Sequence, residues 1–321
     1  MGSTGLEELV EGTLAGESAS VAEALAQVED VRPEALTRQR RLLARLRDKT
    51  PSEHAVIGLT GPPGVGKSTL AAALIRRWLD EGLRVGMIAV DPSSRISGGA
   101  LLGDRARLRF DAEERVFIRS MAAAGELGGL APATRAAVAV LRGGFDRTLV
   151  ETVGVGQSEV EIASVAETVV LVLQPDSGDS LQFMKAGILE IPDVLVVHKW
   201  DLGTAAVRTL ADLEAILRAG PRRGNGWHPP LLGVSAQRGD GVEELAQALT
   251  AHRESLVASG ELARRREAGR IRWALELFTR RYGTLGLERL GGADAVRELC
   301  AQLAGTALDV FAELALRAAL E

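Results

Sequence analysis

The sequence contains one cysteine and four histidines in 321 residues, and this scarcity limits the chemistry that the chain can perform. The single cysteine, Cys300, cannot form an internal disulfide bond. The histidines show no metal-ligand spacing with it or with one another. We therefore expect a cytoplasmic protein, in a reducing compartment, without a built-in zinc site.

Long apolar runs and excess positive charge are also missing. The longest strongly apolar stretch, TVVLVLQP, is far too short to span a bilayer, and the first residues, MGSTGLEELVEG, lack a basic and then apolar targeting signal. The formal net charge of −5 gives no broad cationic surface for phosphodiester backbones. We expect neither a membrane nor a nucleic acid as partner. The 46% of hydrophobic residues suffices for a full buried core.

The chain contains three successive regions that differ in the spacing of their apolar residues. Residues 1–50 carry apolar residues at helical spacing, which predicts an N-terminal extension of two or three helices. Residues 51–253 alternate short apolar runs with amphipathic stretches of crossover length. Residues 254–321 lack such runs and predict a C-terminal helical arm, two long helices separated by a turn at Gly291 and Gly292.

The apolar runs of the middle region are HAVIGLT, RVGMIAVDP, RVFIRSM, RTLVETV, TVVLVLQP, DVLVVHKWD and PLLGVSA. They are apolar throughout rather than alternating, which is typical of strands covered on both faces. The sequence therefore predicts an α/β fold with a mostly parallel central sheet wrapped by helices.

The last predicted helix carries an apolar seam, in which residues recur in alternating steps of three and four. The seam consists of Cys300, Leu303, Ala307, Val310 and Leu314. Such a seam packs along another helix, either of the same chain or of a second subunit. We favour the subunit contact, so that the C-terminal arm would form a homodimer.

The stretch GPPGVGKST follows the first apolar run and precedes a predicted helix, and it matches G-x-x-x-x-G-K-[ST] residue for residue. Glycines let backbone N–H groups converge on phosphate oxygens, and the helix N-terminus adds its positive dipole end. Lys67 would reach the β and γ phosphates, and the Ser68 hydroxyl would bind Mg²⁺. The predicted nucleotide contacts are Gly61, Gly64, Val65, Gly66, Lys67, Ser68 and Thr69.

Acidic residues at the ends of other runs are candidates for the metal site, because ligands of open α/β folds bind at that edge of the sheet. Asp91 ends one run, Glu151 ends another, and Asp104 lies in a glycine-flanked loop. These carboxylates could hold Mg²⁺ or its waters. The N–H of Gly154 could sense the γ phosphate.

Residues after the sixth and seventh runs predict a guanine site. One carboxylate, that of Asp201, can accept both N1–H and the exocyclic amine of guanine, whereas the N1 acceptor of adenine would be repelled. The stem of Lys199 would cover the base plane. Ser235 and Ala236 follow one crossover later, and the Ala236 N–H could meet guanine O6.

These residues resemble the P-loop GTPases of the MeaB/ArgK group, bacterial relatives of the human methylmalonic aciduria type A protein. The resemblance rests on GPPGVGKST, AVDPSSRISGGALLGDRARL, LVETVGVGQSE, SGDSLQFMKAGI and the helical tail. It implies a homodimeric GTPase that binds an adenosylcobalamin-dependent acyl-CoA mutase, such as methylmalonyl-CoA mutase, and that gates its cofactor loading and protects or reactivates it. GTP or GDP with Mg²⁺ would be the ligand.

The resemblance also implies roles for individual residues. Lys67 would stabilise the transferring phosphoryl group, and Asp91 and Glu151 would belong to the metal and switch apparatus together with Asp104. Asp179 and Lys185 would lie in a third switch loop, with Lys185 as a candidate catalytic cation.

One departure from the family pattern concerns the base-binding loop. The family reads N-K-x-D, but His198 stands where asparagine is expected. The asparagine chiefly ties this loop to the P-loop while the aspartate reads the base, so we expect guanine preference to survive.

Three other functions share parts of this pattern. A nickel-insertion GTPase would need a cysteine-rich or histidine-rich segment, which the sequence lacks. A P-loop kinase would phosphorylate a small molecule or a transport protein and would not need Asp201. A GTP-regulated scaffold would bind the nucleotide without appreciable hydrolysis. The client could also be an isobutyryl-CoA or hydroxyisobutyryl-CoA type of mutase.

Overall fold

The computed structural model describes residues 3–91, 110, 113–122, 132–152, 161–175, 191–219 and 226–320. The chain divides into two compact units. A sheet unit contains Glu53–Ala131 and Phe145–Leu262, and a helical unit contains Met1–Ser52, Pro132–Gly144 and Ala263–Glu321. The three-part division at residues 50 and 253 stays a prediction.

The described part of the sheet unit contains one seven-stranded sheet in which every neighbouring pair is parallel. The strands are β1 (Ala55–Thr60), β2 (Val85–Asp91), β3 (Val116–Ala122), β4 (Arg147–Glu151), β5 (Thr168–Leu173), β6 (Val194–His198) and β7 (Leu231–Val234). Their order is β3-β2-β4-β1-β5-β6-β7. Each of the seven apolar runs contains one strand, so the predicted α/β fold with a parallel sheet is confirmed.

Helices cover both faces of this sheet. They are α4 (Lys67–Asp80), α6 (Thr204–Ala219) and α7 (Val242–Ala258). Val170 and Val172 of β5 join the core beneath α4 and α7, whereas the intervening Leu171 and Leu173 join the core beneath α6. Successive side chains of a strand point to opposite faces, so β5 must be apolar at every position. Burying each such side chain contributes about 1.5–3 kcal/mol.

The helical unit contains elements from three separate stretches of the chain. They are α1 (Ser3–Ala15), α2 (Ser18–Glu29), α3 (Leu36–Lys49), α5 (Pro132–Gly144), α8 (Glu261–Arg289, of which the unit takes the part from Ala263), α9 (Ala293–Gln302) and α10 (Ala307–Leu320). A 3₁₀ turn at Pro33–Ala35 leads into α3, and α8 has a kink at Gly283. None of the helices in the described stretches combines the length and apolar character of a bilayer-spanning segment.

The C-terminal segment differs from the single long helix that the sequence predicts. It forms α9 and α10 with a break between them, because Leu303 is extended and Gly305 has a φ of 106°. Thr306 and Asp309 then cap α10 reciprocally: the Thr306 N–H donates to Asp309 at 2.9 Å and the Asp309 N–H donates to the Thr306 hydroxyl at 3.3 Å.

The apolar seam is buried within its own chain, which corrects the subunit contact that we favoured for it. Cys300, Ala307, Val310 and Leu314 are buried in one cluster with Phe278 of α8. Leu303 packs against the same cluster and is half-buried. These side chains therefore stabilise the helical unit itself.

Candidate nucleotide-binding site

Most of the described residues predicted to bind the nucleotide lie at one edge of the sheet, where the carboxyl ends of the parallel strands meet. The P-loop, residues 61–66, follows β1, Glu151 ends β4, His198 ends β6 and Ser235 follows β7. The connection after β1 runs toward β2 on one side, and the connection after the neighbouring β5 runs toward β6 on the other, so a topological switch point lies between β1 and β5. Ligands of open α/β sheets bind in the crevice at such a point.

The P-loop has a backbone that only glycine adopts readily. Gly61, Gly64 and Gly66 have φ values of 140°, 75° and 99°. A Cβ atom on Gly61 would lie 2.0 Å from the carbonyl oxygen of Val172 in β5, so the loop also needs the absence of a side chain there. Gly66 directly precedes α4, so the loop lies at the N-terminal, positive end of the helix dipole.

The ammonium group of Lys67 lies over the P-loop. It donates hydrogen bonds to the carbonyl oxygens of Gly61 at 2.8 Å and Pro62 at 3.0 Å, and the side chain is buried. A buried cation and helix N–H groups on one short loop form a site for polyanionic phosphate groups.

Ser68 and Glu151 bring a hydroxyl and a carboxylate together beneath the P-loop. The Ser68 Oγ donates to Glu151 Oε1 at 2.7 Å, and both side chains are buried. Behind them, the Thr152 hydroxyl donates to the Thr60 hydroxyl at 3.0 Å. Hydroxyl and carboxylate oxygens are the ligands that Mg²⁺ prefers, so this donor set fits the metal. The described residues contain no group of three or more metal-ligating acidic, histidine or cysteine side chains.

The loop after β6 contacts the P-loop through Lys199. Its ammonium donates to the carbonyl oxygen of Gly64 at 3.2 Å and to the side-chain oxygen of Gln174 at 2.6 Å. Lys199 has a φ of 58°, and among the described residues no other side-chain-bearing residue has a positive φ. Such a backbone costs about 1–3 kcal/mol and is typical of functional sites.

The carboxylate of Asp201 is held by the loop after β7. Its Oδ1 accepts a hydrogen bond from the Ser235 hydroxyl at 2.7 Å. That hydrogen bond is the main cause that lowers the pKa of Asp201 below its ordinary value of 3.8. The group is therefore an ionised acceptor at neutral pH, as recognition of two guanine donors requires.

His198, which stands where the resemblance leads us to expect asparagine, is buried and makes contacts with both ring nitrogens. Nδ1 lies 2.8 Å from the carbonyl oxygen of Val65 in the P-loop, and Nε2 lies 3.4 Å from the backbone nitrogen of Ala236. Burial is the main cause that lowers the pKa of His198. The imidazole thus joins the P-loop to the loop after β7.

Several predicted site residues lie wholly or partly outside the part of the chain that the structure describes. Asp104, Gly154, Asp179 and Lys185 lie outside the described residues, and for Asp91 only the backbone, the last residue of β2, is described. Thr69 begins α4 with Lys67 and Ser68.

Two features of the site were not found from the sequence. Gln174 binds Lys199, and Thr60 pairs with Thr152. Gln174, Thr60 and Thr152 each lie at or directly after a strand end, so the rule that polar residues at this edge line the site would have identified them.

The family of the chain follows from comparison with known proteins. The model of a protein family described as "Methylmalonyl Co-A mutase-associated GTPase MeaB" matches residues 21–284. A relative in Pyrococcus abyssi, named as a GTPase, is 43% identical over 264 residues, which cover 81% of this chain and 80% of the relative. The mouse "Methylmalonic aciduria type A homolog, mitochondrial" is 36% identical over 286 residues, 85% of this chain and 69% of the mouse protein.

A solved structure extends the similarity to three dimensions. A crystal structure described as "LAO/AO transport system kinase" superimposes with a TM-score of 0.69 at 27% identity and covers 90% of both chains.

Proposed function

The chain belongs to the MeaB family of methylmalonyl-CoA mutase-associated GTPases and is a GTP hydrolase, and we propose that it serves an adenosylcobalamin-dependent acyl-CoA mutase as chaperone and gatekeeper. Methylmalonyl-CoA mutase is the client that the family name supports best. GTP binding and hydrolysis would control cofactor loading and would protect or reactivate the mutase.

The observation that carries guanine recognition is the placement of Asp201. Its ionised carboxylate is held by Ser235 on the neighbouring loop, and Lys199 of the same loop reaches the P-loop carbonyl of Gly64. A base held by Asp201 and a phosphate chain held by the P-loop would therefore belong to one nucleotide. Adenine presents an acceptor to that carboxylate, and the unpaired contact would be rejected.

Hydrolysis requires stabilisation of charge on the transferring phosphoryl group, and the P-loop supplies it. Lys67 and the N–H groups at the start of α4 would bind the oxygens on which that charge develops. Ser68 and Glu151 would hold Mg²⁺, together with the carboxylates proposed from the sequence, Asp91 and Asp104. When bound, the ion would neutralise charge on the β and γ phosphates. We assign Lys185 as a further cation acting on the phosphoryl group.

The helical parts would carry the assembly. Residues 51–253 are proposed as the GTPase domain, residues 1–50 as its helical extension and residues 254–321 as the arm through which two copies form a homodimer in the cytoplasm. The seam within α9 and α10 is excluded as that contact, because its side chains are buried inside the helical unit.

Phosphate release with the Lys67→Ala variant tests the enzymatic part. Loss of one charge-stabilising donor is expected to lower the hydrolysis rate by about 10²–10³-fold. Lys49→Ala, an exposed lysine of α3 paired with Glu7, is the matched control and is expected to hydrolyse GTP at the wild-type rate. Full activity of Lys67→Ala would contradict the assignment.

Capture experiments test the mutase partner. The purified chain is mixed with methylmalonyl-CoA mutase or an isobutyryl-CoA mutase in the presence of GDP or a non-hydrolysable GTP analogue. A complex whose affinity depends on the nucleotide supports the proposal. Equal affinity with both nucleotides, or no complex with either mutase, would contradict the gatekeeper role.

A kinase function is the second candidate, because a structural neighbour is described as a transport system kinase. A kinase would transfer the γ phosphate to a protein or small molecule, whereas a GTPase releases it to water. Incubation with γ-labelled GTP and candidate acceptors separates the two, since only a kinase leaves label on the acceptor.

A further inference from the structure

Both ring nitrogens of His198 make contacts, and these contacts fix the tautomer. The carbonyl oxygen of Val65 can only accept, so Nδ1, at 2.8 Å, must carry the hydrogen. The backbone N–H of Ala236 can only donate, so Nε2, at 3.4 Å, must be unprotonated. The contacts therefore require a neutral imidazole with its hydrogen on Nδ1.

The space around the imidazole is tight on the P-loop side. A Cβ atom on Gly66 would lie 2.6 Å from both Cε1 and Nδ1 of His198. His198 is 4% exposed, so a charge on its ring would be poorly solvated. The ring is thus wedged between the backbone that binds phosphate and the loop that carries Ala236.

Five charged residues in the described part of the chain lie on the elements packed against His198. Lys199 and Asp201 lie on its own loop, Lys67 follows Gly66, and Arg238 and Asp240 lie in the turn after β7. Burial is the largest influence and lowers the pKa of His198, the Val65 hydrogen bond opposes it, Lys199 lowers the pKa further and Asp201 raises it. The net direction is downward from 6.5, so the imidazole is neutral at physiological pH.

We propose that His198 is a positioning residue of the guanine nucleotide site that works only as the neutral imidazole, so that acidification loosens the hold on the nucleotide. The proposal rests on the proposed GTPase function. An asparagine at this position could not titrate.

Protonation changes only one of the two contacts. The Nδ1–H still donates to Val65, but Nε2 becomes a second donor facing the N–H of Ala236. Two donors repel, and the loop after β7 must move. That loop carries the N–H proposed to bind guanine O6 and the hydroxyl of Ser235 that holds Asp201. The effect is absent above pH 6.5 and grows as the pH falls through the lowered pKa of His198.

Two variants separate position from titration. His198→Asn keeps an N–H donor of shorter reach but cannot titrate, and His198→Leu keeps bulk but loses both hydrogen bonds. Affinity for a fluorescent GDP analogue and its dissociation rate are measured for the full chain and both variants from pH 8 to pH 5. At pH 7.5 the His198→Leu variant is expected to bind roughly tenfold more weakly than wild type, with His198→Asn between them.

The decisive quantity is the ratio of wild-type to His198→Asn affinity, because titration of the nucleotide itself cancels in it. We expect the ratio to be constant above pH 6.5 and to fall at lower pH by at most about tenfold per pH unit, with a matching rise in the dissociation rate. A ratio that stays constant throughout would overturn the proposal. If wild type binds no guanine nucleotide at pH 7.5, the proposed function has failed instead.

Nitrogen NMR of the imidazoles gives an independent readout that does not depend on nucleotide binding. The chain has four histidines, and the signal missing in His198→Asn assigns His198. Its spectrum at pH 7.5 is expected to be that of the Nδ1-protonated tautomer. The Nε2-protonated tautomer or a charged ring at that pH would contradict the assignment.

Discussion

The ammonium of Lys199 donates to the carbonyl oxygen of Gly64, 135 positions earlier in the chain, at 3.2 Å. The same ammonium donates to Gln174, directly after β5, at 2.6 Å. Lys199 thereby connects the ends of β1, β5 and β6, three of the strands whose carboxyl ends form the proposed nucleotide site.

Lys199→Met should weaken nucleotide binding while leaving guanine preference intact. Methionine keeps an apolar stem but loses both hydrogen bonds, so the base loop is no longer tied to the P-loop. We expect the GDP dissociation rate to rise by roughly tenfold. Gln174→Leu removes one of the two bonds from the other side and is expected to give a smaller rise. A larger effect in Gln174→Leu than in Lys199→Met would contradict this account.

Asp201→Asn should change which base is preferred. The amide offers donors where the carboxylate offered only acceptors, so it suits the C2 carbonyl of xanthine better than the exocyclic amine of guanine. We expect GDP affinity to fall by at least about 100-fold and xanthosine diphosphate affinity to rise, as measured by calorimetry. ADP affinity provides the control and should stay low in both proteins.

The pH dependence of Asp201 has a defined direction. The pKa of its carboxyl group is lowered from 3.8, chiefly by the Ser235 hydrogen bond. The carboxylate therefore stays ionised from pH 8 to pH 5, and any stabilisation from its lowered pKa is lost only as the pH falls below 3.8. Ser235→Ala should let that pKa rise toward 3.8 and should not create a new pH dependence of binding above pH 5. A drop above pH 5 confined to Ser235→Ala would contradict this assignment.

The fold was predictable from the sequence because the apolar runs that form β1, β5 and β6 are buried at every position and so covered on both faces. Val170 and Val172 pack on one side of β5, and Leu171 and Leu173 pack on the other, so the run needed to be apolar throughout. The P-loop was predictable because its glycines, lysine and serine are fixed by local backbone geometry.

Contacts between distant residues could not be predicted in the same way. The ring of His198 forms a hydrogen bond with the carbonyl oxygen of Val65, 133 positions away. This contact depends on how β6 aligns with β1 through β5. The break between α9 and α10 was also not predicted from the sequence, because the apolar residues keep their helical spacing across it. The reciprocal cap of Thr306 and Asp309 is the signal in the sequence that marks the break.

Two glycines of the P-loop form a matched pair for stability measurements. Gly64 and Gly66 both have positive φ, but a Cβ on Gly64 would meet nothing within 4 Å, whereas one on Gly66 would press on the ring of His198. Gly64→Ala should lower the free energy of unfolding by about 1–2 kcal/mol from backbone strain alone. Gly66→Ala should lower it further, because it also displaces the imidazole. Equal losses in denaturant unfolding would contradict a tight His198 contact.

A buried network at the opposite edge of the sheet should be important for stability. His252 is fully buried between the Thr168 hydroxyl, 2.8 Å from Nδ1, and the Asp193 carboxylate, 3.3 Å from Nε2. Asp193 also accepts the N–H of Val169 at 2.9 Å, so it fixes the start of β5. Asp193→Ala removes the carboxylate from beside His252 and from the N–H of Val169, and we expect each lost contact to lower the free energy of unfolding by about 1–3 kcal/mol.

Two control variants test whether the loss of unfolding free energy in Asp193→Ala comes from the buried carboxylate. Thr168→Val removes one hydroxyl from the same network, and its loss should be about 1–3 kcal/mol. Glu214→Ala removes an exposed carboxylate that pairs with Arg218 one helical turn away, and it should not change stability measurably. Because the network lies away from the P-loop, folded Asp193→Ala should retain its GDP affinity. If the free energy of GDP binding fell by more than the free energy of unfolding, the prediction would be contradicted, because the two edges of the sheet would then be coupled.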